Sequence, residues 1–328
     1  MNEVKPVISF TIPTWNRANE LRECLDSIIP QILESNEKIE IVISDNASTD
    51  NTSEVVKEYL EKYDFLKYFK NSENLGFDLN LISAVEKASG DYVWLFSDDD
   101  QIAPGAIKEM LNIIHRWQPC TISLNYYLIL NNEKIEYRTY TEHMVQRDIQ
   151  QCDMNDLLLY RSHLFTFMTS NIVRKELIDT SYCKRIVCEY ENWIHLYMIT
   201  KALGKKQCGF ISSYYAVLAR ANNGRVDTNV FLTAMPAVLK SICEEYGITK
   251  YVKRRLMEDI RRDFLPLQQW IALIVLGRGT ASVEVDIPFY YRLIQHIPRR
   301  ILIFLWKCFR FIKSKGFSLP ENIQKSLL

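Results

Sequence analysis

The strongest constraint on this chain is an alternation that runs through its first 116 residues. Short apolar runs of strand length lie at 6–12, 39–44, 65–69 and 91–96. Between and after them, apolar residues recur at helical spacing. The first such set is Leu21, Leu25, Ile28, Ile29 and Ile32, and the second is Val55, Val56, Tyr59, Leu60 and Tyr63. The third is Leu81, Ile82, Val85 and Ala88, and the fourth is Ile107, Met110, Leu111 and Ile114 within 104–116. Strand and helix in alternation predict an α/β fold: a mostly parallel sheet covered by helices on both faces. Local signals place the helix ends. Asn19 suits an N-cap, and Asn51 with Glu54 is a variant of the capping box. Pro30 is expected to kink or end the first helix, and Gly90 to close the third in the position past a helix end.

In open sheets of this kind, ligands bind outside the carboxyl ends of the strands. Four polar loops lie at those ends: 13–17, 45–50, 71–76 and 98–100. Their convergence on one rim argues for a site. The run Trp94-Leu-Phe-Ser-Asp-Asp-Asp100 is the most telling, because an apolar strand ends abruptly in three carboxylates. Adjacent acids repel one another unless something cationic sits among them. Hard cations such as Mg²⁺ or Mn²⁺ take oxygen ligands, often one or two carboxylates plus substrate phosphates. The expected ligand is therefore a metal-bound diphosphate; the competing reading is a solvated acidic turn. Asp45 and Asn46 have the directional hydrogen-bonding groups to read a base edge or a ribose hydroxyl. Arg17 offers a planar fork to phosphate or orients its own loop. Gly76 allows close backbone approach. Asp45, Ser48 and Asp50 have a second reading as caps of the following helix.

Composition narrows the class. Apolar residues make up 48% of the 328, so the chain is globular and long enough for one large domain or two. Lys+Arg and Asp+Glu balance at 40 each, which gives no global pull toward nucleic acid. Eight cysteines without a CxxC pair suggest reduced, mostly buried thiols of a cytosolic protein. Val7–Ile12 is too short for a signal segment, and no 18-residue uncharged apolar stretch predicts a spanning helix.

Taken together, Ser9-Phe-Thr-Ile-Pro-Thr-Trp-Asn-Arg17, Ser44-Asp-Asn-Ala-Ser-Thr-Asp50, Asn74-Leu-Gly-Phe77 with Asn80, and Ser97-Asp-Asp-Asp100 with Pro104 resemble, in order and spacing, the GT-A glycosyltransferases of family 2. The variant is similar to bacterial enzymes of O-antigen and surface-polysaccharide synthesis, including the abequosyltransferase-like group. The likeness is dense over 5–110 and thin afterwards. It implies a Rossmann-like GT-A sheet with a C-terminal helical extension, and a nucleotide-diphosphate sugar as donor, with a UDP-sugar favoured. The donor set it implies is Pro13, Thr14, Asn16, Arg17, Asp45, Asn46, Asn74, Gly76, Asp98, Asp99 and Arg220. A divalent metal, Mn²⁺ or Mg²⁺, would be held by Asp100 with Asp98. Many members have Asp where this chain has Ser97, in an Asp-x-Asp-Asp pattern, which leaves both Asp98 and Asp99 open to ribose or metal. The family's catalytic base falls in Val187–His195, with Glu191 the first choice and Glu189 the second; otherwise both are surface charges at a helix start. His195 is expected to pack under Trp193. The segment 166–173 resembles the acceptor cleft, and 220–224 a diphosphate loop or closing lid.

The expected division is a catalytic domain over 1–225, with a donor half to 116 and an acceptor half beyond it, then a helical region over 226–328. Residues 264–276 suit a core helix. From 289 to 316 the charges are all basic, interleaved with Ile301–Trp306, Phe309, Phe311 and Ile312. Such a segment suits an anionic membrane surface; the alternative is a helix docked on the catalytic domain with its basic side solvated. The partners expected are the donor, a lipid-linked glycan acceptor and the anionic inner leaflet, on the cytoplasmic face of the inner membrane, with no nucleic acid. Two other functions compete. A nucleotidyltransferase would show a Gly-rich phosphate loop after the first strand, where this chain has Pro13-Thr-Trp-Asn-Arg17. A non-catalytic sugar-nucleotide-binding partner of a glycosylation complex would bind without transfer.

Overall fold

Strand β1 (Ile8–Thr14) is wholly buried and has a parallel neighbour on each side. In the computed structural model, residues 4–130, 133–136, 145–190, 192–206, 208–220 and 235–264 are described. The elements that follow are α1 (Ala18–Leu33), β2 (Ile39–Asp45), α2 (Thr52–Leu60), β3 (Leu66–Lys70), α3 (Phe77–Lys87) and β4 (Tyr92–Leu95). Then come β5 (Gln101–Ile102), α4 (Ala106–Trp117), β6 (Thr121–Leu130), β7 (Glu133–Glu136), β8 (Ile149–Cys152) and α5 (Met154–Arg161). The last elements of this unit are β9 (Asn171–Arg174), α6 (Thr180–Tyr190), α7 (Ile194–Lys206) and β10 (Gly209–Arg220). The sheet order is β3-β2-β1-β4-β9-β6-β10-β5, with β7 on β6 and β8 on β10.

The first four long strands are mutually parallel, as the alternation predicts. The chain builds outward from β1 through β2 to β3, then returns to place β4 on the other side of β1. That reversal opens a crevice at the carboxyl ends of β1 and β4. Antiparallel β9 then joins β4 to β6.

Although β1, β2 and β4 are buried along their full length, period-2 geometry still divides their side chains. Ile8, Phe10, Ile12, Ile41, Ile43, Trp94 and Phe96 form one core with Leu21, Leu25, Ile28, Val55, Val56, Ile107 and Met110 from α1, α2 and α4. Phe10 stacks on Trp94 with centroids 4.9 Å apart and meets the edge of Phe96 at 5.6 Å. Helix α3 packs instead with α6 and α7. The central acidic strand is thereby anchored by aromatic packing immediately before its carboxylates begin.

Three local expectations are corrected. Pro30 neither ends nor breaks α1, which continues to Leu33; Pro30 lies in the last turns on the exposed face, where one missing N–H is tolerated. Neither Asn19 nor Asn51 provides a side-chain cap. Asp50 serves both helices instead, accepting from the N–H of Ala18 (3.2 Å) and from the N–H and hydroxyl of Thr52 (3.1 and 2.5 Å). Finally, α3 ends at Ala88 in extended conformation, and Gly90 has no left-handed role there. A Cβ on Gly90 would stand 2.5 Å from Ser9 Oγ and 2.9 Å from the Ser9 backbone N, so the constraint is close approach to β1.

The chain divides into two compact units, Met1–Arg225 and Val226–Leu328. In the second, the described elements are α8 (Met235–Glu245) and α9 (Lys250–Phe264), which bury Val238, Leu239 and Ile242, and Val252 and Leu256. The expected core helix past Phe264 and the basic segment 289–316 lie outside the described residues. No helix among the described residues is long and apolar enough to cross a membrane.

Candidate active site

Four loops meet at the carboxyl ends of β1, β2, β3 and β4 and enclose a cleft of about 450 Å³. Its lining combines Pro13, Thr14, Trp15 and Arg17; Asn46; Asn74, Gly76, Phe77 and Asn80; and Ser97 to Asp100, with Phe167 and Arg220 completing the wall. A larger cavity of about 730 Å³ lies at the opposite, amino ends of β1 and β2. Its buried carboxylate, Glu40, is already bound by Ser9, Ser89 and Lys67, so it is a structural tie.

The cation demanded by the acidic run is, in part, Arg17. One guanidinium nitrogen, Nη1, lies 2.9 Å from Asp98 Oδ1 and 2.9 Å from Asp99 Oδ2. Ser97 Oγ donates to the other oxygen of Asp99. Asp100 turns away from this pair. Its Oδ2 accepts from Thr169 Oγ1 at 2.5 Å and its Oδ1 from the Arg220 N–H at 3.0 Å. Burial pushes Asp98 up to about 6 despite Arg17 beside it, with Asp99 adding to the rise. Burial and then the neighbouring charge of Asp99 raise Asp100 as well.

Among the described residues, no group of three His, Cys, Asp or Glu side chains is arranged to hold a metal ion. The donor set nevertheless fits part of a shell. Asp100 is a buried carboxylate in a polar cleft, destabilised as an anion by burial and like charge, and a divalent cation stabilises such a group in its ionised form. Mg²⁺-type sites need only one or two carboxylates where phosphates and water complete the coordination.

The loops are stitched to one another by short polar side chains. Asn16 adopts a left-handed backbone (φ 53°), and its Oδ1 accepts from the Thr49 N–H at 2.7 Å. Asn46 grips the β3–α3 loop: its Nδ2 donates to Asn74 Oδ1 (2.7 Å) and Gly76 O (3.2 Å), and its Oδ1 accepts from the Leu75 N–H (2.8 Å). Asn80 bridges the ends of β1 and β2, donating to Ser44 O at 2.9 Å and Thr14 O at 3.4 Å. Asp45 is fully buried and does not line the cleft. Its oxygens accept from the Ser48 N–H (2.8 Å) and the Tyr68 hydroxyl (2.5 Å), so it braces the loop from behind.

Of the residues singled out from sequence, the structure brings Pro13, Thr14, Arg17, Asn46, Asn74, Gly76, Asp98, Asp99, Asp100 and Arg220 to one cleft. Asn16 and Asp45 support it from outside. Glu189 is exposed on the last turn of α6 and is not among the lining residues, and Glu191 lies outside the described residues. Arg220 pairs with Glu23 of α1 through its guanidinium. Sequence reasoning gave no individual role to Trp15 and Phe77, met only inside the loop motifs, or to Phe167 and Thr169, met only inside the segment 166–173. Trp15, 51% exposed within a polar loop, carries the one legible signal, an aromatic placed where burial does not explain it. Thr169 is visible only once β9 lies beside β4: its Oγ1 accepts from the Ser97 N–H and its carbonyl from the Trp94 indole.

His195 is buried against Trp193, with ring centroids 5.6 Å apart, and its Nε2 donates to Thr166 O at 2.8 Å. Its Nδ1 has no partner, and burial lowers its pKa from 6.5 to about 4. The folded state therefore holds His195 neutral where the unfolded chain takes up a proton. Its contribution to stability is complete above pH 6.5 and is lost as pH falls toward 4, by roughly 3 kcal/mol in all. Denaturant titrations of wild type and His195→Gln across this window are expected to diverge, the wild type losing more stability on acidification. Parallel curves would exclude the assignment.

Comparisons with known proteins agree with this geometry. Residues 9–181 match the sequence pattern of Glycosyl transferase family 2. The chain is 36% identical over 187 residues to abequosyltransferase RfbV of Salmonella typhimurium, covering 53% of this chain and 54% of that protein. It is 33% identical over 107 residues to the GalNAc(5)-diNAcBac-PP-undecaprenol beta-1,3-glucosyltransferase of Campylobacter jejuni, covering 32% and 34%. The chain thus spans about half or less of the length of these relatives. Among solved structures, S. aureus TarS 1–349 in complex with UDP superposes with a TM-score of 0.59 at 16% identity, over 95% of this chain and 93% of that one. The mannosyltransferase PcManGT from Pyrobaculum calidifontis, in complex with GDP-Man and Mn²⁺, gives 0.53 at 16% identity, over 91% and 83%. At these identities the likeness shows the fold, and that fold is the GT-A arrangement.

Proposed function

The chain belongs to glycosyl transferase family 2, and from that premise we propose that it moves a sugar from a nucleotide-diphosphate sugar to a glycan acceptor. The observation that carries this reading is the single cleft at the strand ends, in which an acidic cluster, an arginine and amide side chains from separate loops stand together. The nucleoside lies against Pro13, Thr14 and Asn46, and the diphosphate faces Asp98–Asp100. Arg17 pairs with Asp98 and Asp99 and holds both in place, while Thr169 and the Arg220 N–H orient Asp100. A Mn²⁺ or Mg²⁺ ion bound at Asp100, with Asp98 as the second candidate, would offset the charge of the departing diphosphate. Arg220, which lines the cleft at the end of β10, would meet the same charge by exchanging its contact with Glu23.

On the acceptor side, Glu191 or Glu189 takes the proton of the attacking hydroxyl. A lipid-linked glycan is the acceptor that best fits, supported by the undecaprenol-linked substrate named for the Campylobacter relative. The basic segment 289–316 would hold the enzyme at an anionic leaflet on the cytoplasmic face, where such acceptors lie.

Three outcomes test this reading. In a thermal-shift screen of UDP, GDP, CDP and dTDP with and without Mn²⁺, one nucleotide should stabilise the wild type, by about 2.7 kcal/mol at a hundredfold excess over its Kd. Asp100→Ala should abolish the metal-dependent part, and a screen in which no nucleotide stabilises would remove the donor site. With the donor class so found, transfer to lipid acceptor in native membranes should fall by roughly 10²–10⁴-fold in either Glu191→Gln or Glu189→Gln. Full activity in both would discard the base. Deleting 289–328 should shift the protein from the membrane to the soluble fraction; unchanged partitioning rejects the anchor.

A further inference from the structure

The turn that hands α6 to α7 is held by a residue from another part of the chain. The first N–H groups of any helix lack intrahelical partners and need acceptors. At the start of α7 the acceptor is Asp78, from the first turn of α3, more than a hundred residues earlier in the chain. Its Oδ2 accepts from the Asn192 N–H at 2.5 Å and its Oδ1 from the Ile194 N–H at 3.2 Å. Asp78 is buried, and Asn192 adopts a left-handed backbone (φ 72°) that presents these amides to it. The adjacent residue, Phe77, sets its ring edge-on against His195, with centroids 6.4 Å apart.

The same short stretch faces the donor cleft on its other side. Gly76, Phe77 and Asn74 line the cleft, and Asn46 holds the loop by three hydrogen bonds. Five residues, Asn74 to Asp78, therefore run from the wall of the donor cleft to the turn beside the acceptor-side helices. Gly76 enters α3 at φ 82°, a backbone shape that fixes the direction in which Asp78 leaves the loop.

We propose that Asp78 is a positioning residue that sets the turn at Asn192–Ile194 against the donor loop, so that filling the donor cleft also orders the acceptor side. This rests on the reading that Asn74–Gly76 contacts the nucleotide. The carboxylate is suited to the task because it has two oxygens for two amides and a charge favoured at a helix N-terminus. A cap with no link to the cleft would stabilise α7 equally with and without nucleotide, and that difference is measurable.

Amide hydrogen exchange on the full chain distinguishes the two. UDP, GDP, CDP and dTDP are each added with Mn²⁺, and exchange is followed in peptides covering 74–80 and 192–196. In the wild type, the nucleotide that binds should slow both regions by at least about threefold. In Asp78→Ala the slowing at 74–80 should persist, while the bound-to-free ratio at 192–196 should return to about one. Val85→Ala, a cavity at the far end of α3, should keep both ratios. Should Asp78→Ala not fold, Asp78→Asn serves, because it keeps one acceptor oxygen but turns an amide N–H toward the second donor, and an intermediate ratio is expected. Slowing at 192–196 that keeps its wild-type size in Asp78→Ala or Asp78→Asn, or that never accompanies slowing at 74–80 in the wild type, overturns the inference alone. No slowing at 74–80 with any nucleotide overturns the donor reading and this inference with it.

Discussion

Three consecutive carboxylates at the end of a buried strand are unstable as neighbours unless positive charge or hydrogen bonds hold them apart, and this fold answers with Arg17. Its guanidinium spans Asp98 and Asp99 from the far side of the β1–α1 loop. It thereby ties the end of β1 to the end of β4, the two strands between which the cleft opens. Asp100 is left to a different set of partners, Thr169 and the Arg220 backbone. Two of the acids hold the loops together through Arg17, and the third, buried and raised in pKa, lines the cleft beside them.

Around that contact the rim is built from small polar side chains that each serve two loops. Asp50 accepts from the first turns of α1 and α2. Asn46 clamps the β3–α3 loop, and Asn80 closes the gap between β1 and β2. A buried amide or carboxylate with most of its hydrogen-bonding capacity used is a rigid strut, because releasing any one bond strands a polar group in low dielectric. These struts fix the rim of the cleft, and Asp78 carries the same construction across to α7.

The α/β alternation was legible because each strand is a continuous apolar run and each helix carries a single apolar stripe. The acidic run and the polar loops were legible for the same reason: polar residues at the ends of such strands have few purposes beyond a site. Single-residue roles were less so. Asn19 and Asn51 have the chemistry of caps, yet Asp50 does the capping, because its carboxylate lies within hydrogen-bond reach of both the Ala18 and the Thr52 N–H groups. Gly90 suggested a helix end and turned out to be the place where the chain crosses close to Ser9. Asp45 suggested a base contact and is instead satisfied from within by Ser48 and Tyr68.

By itself the sequence determined the alternation of strands and helices over the first 116 residues, the parallel character of that part, the family likeness and the identity of most cleft residues. These follow from local periodicity and from motifs whose members are close in the chain. Only the tertiary structure decided which carboxylate faces which partner, that Thr169 orients Asp100, and that Asp78 holds the start of α7. Each of these joins residues roughly seventy to more than a hundred positions apart. Hydrogen bonds of that kind depend on which strands become neighbours and where a loop turns, and no local pattern encodes the pairing before the sheet has formed.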